Sequence, residues 1–232
     1  MDVVYPGPRA SSLGPVAEPR SAFEEYCEAI FELKEDDLDV IQARIAERLS
    51  VSRPAASEMI RRLATEGFVD LENGITLTDA GLALAERVVR RHRLAERFLT
   101  DVLGLSWADA HLEAGKWEHV MSQSVETAMN RILENPTTCP HGNPIPGSGY
   151  TERDLITLST LSVGDEFTIT RIPEELEFTP GLLDFLEDND ILPGRRGTVD
   201  AASPDGTLTV TIADHTVGIG SFAGARILVT AA

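Results

Sequence analysis

Apolar positions recur every three to four residues from about residue 21 to residue 134 and every second residue in the last third, so a helical part precedes a β-rich part. In SAFEEYCEAIFELKED (21–36), Phe23, Tyr26, Cys27, Ile30, Phe31 and Leu33 share one helical face, with Ser21 as the expected N-cap. DVIQARIAERL (39–49) predicts a second amphipathic helix with Ile41, Ile45, Ala46 and Leu49 inward. A third follows at about 53–66. Ser52 caps it, Pro54 sits in its first turn, Met59, Ile60 and Leu63 face inward, and Gly67 ends it. FVDLENGITLTD then predicts a hairpin turning at Asn73-Gly74.

Helix, helix, short turn, helix, hairpin is the order of a winged helix-turn-helix, which places the second helix of the pair in a DNA major groove. Here that helix is 53–66. Arg53, Ala55, Ala56, Ser57 and Glu58 are candidates to face bases, Arg44, Ser52 and Pro54 join the DNA-facing set, and Arg61 and Arg62 are candidates for phosphates. The same pattern also occurs in proteins that do not bind DNA.

Residues 78–103 predict a long helix capped by Thr78 or Asp79, and residues 106–134 predict another. Two such helices after a winged helix commonly form a dimer interface, and dimers of this kind read palindromic operators. NPTTCPHGNPIPGSGY (135–150) reads as a linker or ordered loop. From 151 onward five alternating runs, DEFTITRI, RRGTVDAA, GTLTVTIAD, HTVGIGS and ARILVTAA, predict a small β-barrel interrupted by an acidic helix at about 180–189. The expected fold is mostly α with a β-rich C-terminal part. Its units are a flexible tail (1–20), a winged helix-turn-helix (21–79), a helical unit (80–147) and a small barrel (151–232).

Composition narrows the setting. Two cysteines, Cys27 and Cys139, make no disulfide framework, no apolar run approaches a membrane span, and the N-terminus lacks a signal-peptide pattern. A reducing cytoplasm is the expected location. The net charge of −18 argues at first against nucleic acid. Yet residues 40–100 hold ten of the 20 basic residues and eight acids, a net of +2 against −20 for the remainder. That asymmetry permits a nucleic-acid face; arginines on solvated helix faces explain it equally.

Helical ligands for a metal come from residues three or four apart, because these share a face. Glu25 and Glu28, His92 and Glu96, and His111 with Glu118 and His119 form three such sets, and they use three of the chain's five histidines. Imidazole with carboxylate and no thiolate suits Mn(II), Fe(II), Co(II) or Zn(II). Solvated ion pairs and helix–helix hydrogen bonds are the alternative reading. No HExxH, P-loop, GxGxxG or GxSxG motif occurs.

RRHRLAERFLTDVLGLSWADAHLEAGKWEHVMS, followed by CPHGNPIPG, closely resembles the DtxR family of iron- and manganese-dependent transcriptional repressors. IQARIAERL with SRPAASEMIRRLATEGFV is similar to its helix-turn-helix, and the β-rich third looks like its SH3-like (FeoA-like) domain. The resemblance implies a homodimeric repressor that binds double-stranded palindromic operator DNA, with two metal sites per subunit. The primary site would take Glu25, the position of Gly115, Glu118 and His119. The ancillary site would take His92, Glu96 and His111, completed in iron-type members from the SH3-like domain.

This chain departs from that pattern. Iron-type members carry methionine where Glu25 stands and manganese-type members a carboxylate, and Glu28 matches a second manganese-type position. Gly115 stands where the family has cysteine or glutamate. In the SH3-like domain Thr179 and Leu182 fall nearest the ancillary positions, with Glu174, Glu175 and Glu177 as substitutes. Three arrangements follow: an Mn(II) site using Glu28, with Fe(II) as the alternative and Co, Ni or Zn able to substitute in vitro; a site with water at the gap; or a degenerate primary site with sensing left to His92, Glu96 and His111. The rivals are a DNA-binding dimer that ignores metal and a metallohydrolase. Cys27 and Trp117 are expected to pack, His141 to be structural, and His215 to be exposed.

Overall fold

A computed structural model describes residues 19–151 and 153–231. The expected tail lies outside these residues up to position 18; Pro19 and Arg20 already belong to helix α1 (Pro19–Glu35), so Ser21 is inside the helix rather than its cap. Helix α2 (Gln42–Arg48) is shorter than its apolar pattern suggests. Ile41 precedes it and is 49% exposed, so it is not the inward residue its spacing indicates. In α3 (Arg53–Thr65), Ser52 Oγ accepts from the Ala55 N–H at 3.3 Å and Pro54 occupies the first turn. Strands β1 (Val69–Asp70) and β2 (Thr76–Leu77) pair through only two residues each, so Asn73-Gly74 lies in a five-residue loop rather than a tight two-residue turn. Phe23, Tyr26, Cys27, Ile30, Ile45, Ile60, Leu63 and Val69 form the core of this first unit.

Helix α4 (Asp79–Asp101) is capped by Thr78, whose Oγ1 accepts from the Gly81 N–H. A Cβ at Gly81 would collide with the Phe68 carbonyl, so the absent side chain lets α4 start tight against the hairpin. The helix expected over 106–134 is two helices: α5 (Trp107–Trp117) and α6 (Gln123–Ile132). Ser122 is the reason, since its hydroxyl accepts from the Val125 N–H and starts a new helix. The break leaves Glu118 at the C-cap of α5 and His119 in the turn beyond it. Leu94, Leu99, Ala110, Ala114, Met121 and Met129 pack between the three helices, with Trp117 half-buried against them.

The last unit is one antiparallel sheet in the order β3-β8-β4-β5-β6-β7. Its strands are β3 (Ile156–Thr157), β4 (Glu166–Arg171), β5 (Arg196–Ala202), β6 (Leu208–Ile212), β7 (His215–Ile219) and β8 (Leu228–Ala231). Register shifts in β4–β8 and β5–β6 bend it around Phe167, Ile169, Val199, Val210 and Val229. The acidic helix is α8 (Leu182–Asp188). A shorter helix, α7 (Glu174–Glu177), precedes it and has no apolar periodicity to announce it. A third short helix, α9 (Ser221–Gly224), leads into β8. His215 is exposed.

Trp107 of α5 inserts into the core of the β unit. The CPHGNPIPG loop closes over β4: a Cβ at Gly142 would strike the Thr170 carbonyl, and Asn143 donates to the Ile172 carbonyl while accepting from Arg171 Nε at 2.6 Å. These contacts set α7 against α4 and α5.

Candidate metal centre

Four carboxylates, Glu25, Glu28, Glu32 and Glu35, follow one face of α1 at helical spacing. Glu35 meets Arg93 at 2.6 Å and Arg171 at 2.9 Å, and Glu32 meets Arg48 at 2.8 Å. Glu25 is half-exposed, 3.9 Å from His119 Nε2. Glu28 Oε1 is buried with no hydrogen-bond partner. Burial, reinforced by the charges of Glu118 and Glu32, pushes the Glu28 carboxyl well above the usual range.

Glu28, His92 of α4 and Glu118 bring ligand atoms within 4.8 Å of one another. His92 Nδ1 lies 2.5 Å from Glu118 Oε2, and Glu118 Oε1 lies 3.1 Å from His119 Nε2. His119 Nδ1 lies 3.0 Å from Glu24, a residue without a sequence signal of its own, since the α1 stripe passes through Glu25 and Glu28 instead. A cavity of about 290 Å³ opens among Glu25, Glu28, Gly115, Glu118 and His119, and a Cβ at Gly115 would meet no atom within 4 Å. The gap in the ligand set is therefore empty space rather than a position taken by another side chain.

A second cluster adjoins the first through His92. Its Nε2 lies 3.1 Å from Glu96 and 3.3 Å from His111 Nδ1. His111 lies 3.0 Å from Glu96 and 3.2 Å from Glu177, and Glu174 joins His92 and His111 within 4.8 Å. The residues brought here from the β unit are Glu174 and Glu177, three apart on α7. They are two of the three substitutes expected from the sequence, in place of Thr179 and Leu182: α7 begins directly after Pro173, and its carboxylates lie beside the imidazoles. Glu175 points elsewhere, to Arg226 at 2.6 Å.

His141 is fully buried 3.0 Å from Glu177 and 3.7 Å from Glu96, with Cys139 Sγ at 3.8 Å. Read alone it looked structural; the tertiary structure makes it the third imidazole of this carboxylate pocket. Cys139-Pro140-His141 was the available signal.

Burial works against charge on these imidazoles, but the carboxylates outweigh it. His92 and His141 are raised well above the ordinary histidine range, and bonds to Glu177 and Glu96 push His111 up to about 10. Burial also works against the Glu96 carboxylate, yet His141 and His92 hold it well below its usual range. Protons on imidazole thus stand where a cation would balance the carboxylates. Besides Glu28 Oε1, the buried atoms Glu96 Oε2, Glu174 Oε1 and His141 Nε2 have no partner. Orphaned carboxylate oxygens beside imidazole nitrogens fit a divalent transition-metal ion.

In the first unit, Arg53, Pro54, Ala55 and Glu58 are exposed at the start of α3, with Ser57 half-buried. Ala56 is fully buried in the core, so it does not face DNA; a helix turns one residue in each early turn toward its own core. Ser52 is engaged as the cap. Arg44 is half-buried and Arg62 exposed, its guanidinium 5.2 Å above the Phe23 ring.

A helix-turn-helix with a short wing, a buried carboxylate–imidazole pocket against it and a bent β-sheet behind define a winged-helix regulator with a metal-binding helical unit. Residues 20–74 match the "Iron dependent repressor, N-terminal DNA binding domain", residues 78–147 the "Iron dependent repressor, metal binding and dimerisation domain", and residues 156–231 the FeoA domain. The iron-dependent repressor IdeR of Mycobacterium tuberculosis is 38% identical over 205 residues, spanning 83% of this chain and 89% of that one. The diphtheria toxin repressor of Corynebacterium diphtheriae is 44% identical over 126 residues, 53% of this chain and 56% of that one. Among solved structures, a manganese-dependent transcriptional repressor in complex with manganese superimposes with a TM-score of 0.81 at 34% identity, covering 90% of this chain and all of that one. The chain belongs to the iron-dependent repressor family. It is a metal-dependent transcriptional repressor, a DNA-binding regulator rather than an enzyme. No described helix is long and apolar enough to cross a membrane.

Proposed function

We propose that this chain represses metal-homeostasis genes in the cytoplasm as a homodimer, with Mn(II) as the favoured co-repressor and Fe(II) as the alternative, on palindromic operators. The observation that carries the metal preference is the unpartnered Glu28 oxygen facing Glu118 and His92. All-carboxylate and imidazole donors, with no thioether or thiolate among them, favour the harder ion. Glu28, His92, Glu118 and His119, with Glu25 at the rim, would hold one ion; His111, Glu96, Glu174 and Glu177 would hold a second. The working units are 21–79 for DNA, 80–147 for metal and dimerisation, and 151–232 as the SH3-like domain that lends Glu174 and Glu177.

A divalent ion would take the place of the imidazole protons that balance these carboxylates. Glu28 carries the consequence to DNA, because it sits on α1, which packs against α2 and α3. With its charge neutralised, Glu28 holds α1 against α4 and α5 and so fixes the attitude of α3. Arg53, Ala55, Ser57 and Glu58 then face the bases while Arg62 and Arg44 approach phosphates. Operator affinity and metal affinity rise together by linkage. The acidic body opposes DNA, so binding is expected to be weak without metal and to fall steeply with salt.

The test is fluorescence anisotropy on metal-stripped protein with a palindromic duplex recovered by selection, titrating Mn(II) and Fe(II) separately. Activation at lower Mn(II) than Fe(II), lost in Glu118→Ala and His119→Ala, is the expected result. Operator binding that is the same with and without chelator would establish the metal-independent alternative that Gly115 favours.

A further inference from the structure

Glu28 gives the first cluster its route to the reading head through α1. The second cluster shares His92 with the first, and one aromatic ring also joins it to the helix-turn-helix. Phe178 is the C-cap of α7, adjacent in sequence to Glu177. Its ring packs nearly perpendicular to the His111 imidazole, with centroids 5.4 Å apart. Over the same ring, 4.3 Å from its centroid, lies the Arg48 guanidinium. Arg48 is the last residue of α2, and its side chain is only 5% exposed. Its Nη1 donates to Glu32 of α1 at 2.8 Å.

We propose that Phe178 is a positioning residue that couples the second cluster to α2, by packing on His111 and stacking under Arg48. This rests on the metal-dependent reading above. Of the groups gathered at that cluster, His111 packs on the Phe178 ring, and Glu174 and Glu177 lie on the short helix that Phe178 ends. When they are held in one arrangement, the ring is held too. Arg48 must then keep its place over the ring and its bond to Glu32 together, which locks the end of α2 to α1. A cation–π contact of a mostly buried guanidinium is strong enough to bias such an equilibrium several-fold. Arginine suits the task because its plane can lie on the ring while its edge still donates to a carboxylate. Arg48 is therefore an internal strut, in contrast to the exposed arginines of α3.

The experiment compares wild-type protein with Phe178→Leu, which keeps apolar volume, and Phe178→Tyr, which keeps the aromatic face. Two readouts are taken: operator affinity with Mn(II) relative to chelator, and amide hydrogen exchange of residues 42–48 with and without Mn(II). Wild type should show metal-induced protection of α2. Phe178→Leu should lose that protection and about three- to tenfold of the metal-dependent affinity ratio, with the stoichiometry of Mn(II) binding by calorimetry unchanged. Phe178→Tyr should restore both. Should Phe178→Leu keep wild-type protection and ratio, the coupling is overturned; loss in Leu and Tyr alike overturns it as well, because only the stack distinguishes them. Metal-induced protection of α2 that needs Phe178, in a protein whose operator binding ignores metal, would support the coupling while refuting the repressor reading of the site.

Discussion

Glu28 and Glu118 bring carboxylate oxygens within 4.8 Å of one another, one from α1 and one from the end of α5. The Glu118 charge adds to burial in raising the Glu28 carboxyl, so ionising Glu28 costs the metal-free fold stability as pH rises above the unfolded value. Glu28→Gln should therefore stabilise the metal-free protein, raising Tm by about 2–4 °C for each ~1 kcal/mol recovered. It should also shrink the rise in Tm that added Mn(II) produces. Thermal scans at pH 7.5 with and without metal check both; a lower metal-free Tm would contradict the charge argument.

The open space at Gly115 makes a gain of function testable. Gly115→Glu should fit without displacing a neighbour and tighten Mn(II) binding by roughly tenfold, the equivalent of ~1.4 kcal/mol. Gly115→Cys should shift preference toward softer ions such as Zn(II). Competition titrations of each variant against a fluorescent chelator read the change, and equal affinities in all three proteins would show that the position lies outside the coordination shell.

Arg93 is fully buried and joins three parts of the chain: it donates to Glu35 of α1, to the Pro144 carbonyl in the loop and to Glu174 of α7. Removing it leaves the buried Glu174 without its guanidinium and Glu35 with Arg171 alone. Arg93→Ala should cost about 3–5 kcal/mol in urea denaturation, far more than Arg61→Ala on the exposed face of α3.

Asp36 provides the pH test. Burial pushes its carboxyl up to about 7, only partly offset by Arg171 at 2.9 Å and the Glu175 N–H at 3.0 Å. The folded state then holds a proton that the unfolded state releases near its ordinary value of 3.8. The contribution of Asp36 is fully present below that value and declines as pH rises to about 7. Asp36→Asn should flatten this part of the stability curve. Urea midpoints measured at pH 4.5, 5.5, 6.5 and 7.5 on both proteins give the difference, and parallel curves would reject it.

Periodicity alone determined the helices of the first unit, the long α4 and the five principal strands, because each must turn an apolar face to a core and its spacing is written locally. The paired spacing of His92 with Glu96 and the Glu118-His119 step likewise marked ligand candidates, since helical neighbours share a face whatever surrounds them. The apolar spacing over 106–134 did not show that Ser122 divides the helix expected there, because the period runs on through the break and the cap bond of Ser122 leaves no mark in it. Local pattern placed Ala56 among residues facing DNA, whereas packing against Ile45 and Ile60 turns it inward. The role of α7 was decided only by the tertiary structure. Four residues without apolar period carry Glu174 and Glu177 some 80 residues beyond His92 and Glu96 in sequence, and the CPHGNPIPG loop bonded across β4, Trp107 in the β core and Arg93 on Glu174 bring them together. Short-range spacing encodes which side chains share a face; which faces meet depends on long-range packing, and that packing joins His92, Glu96, His111, His141, Glu174 and Glu177 in one buried pocket.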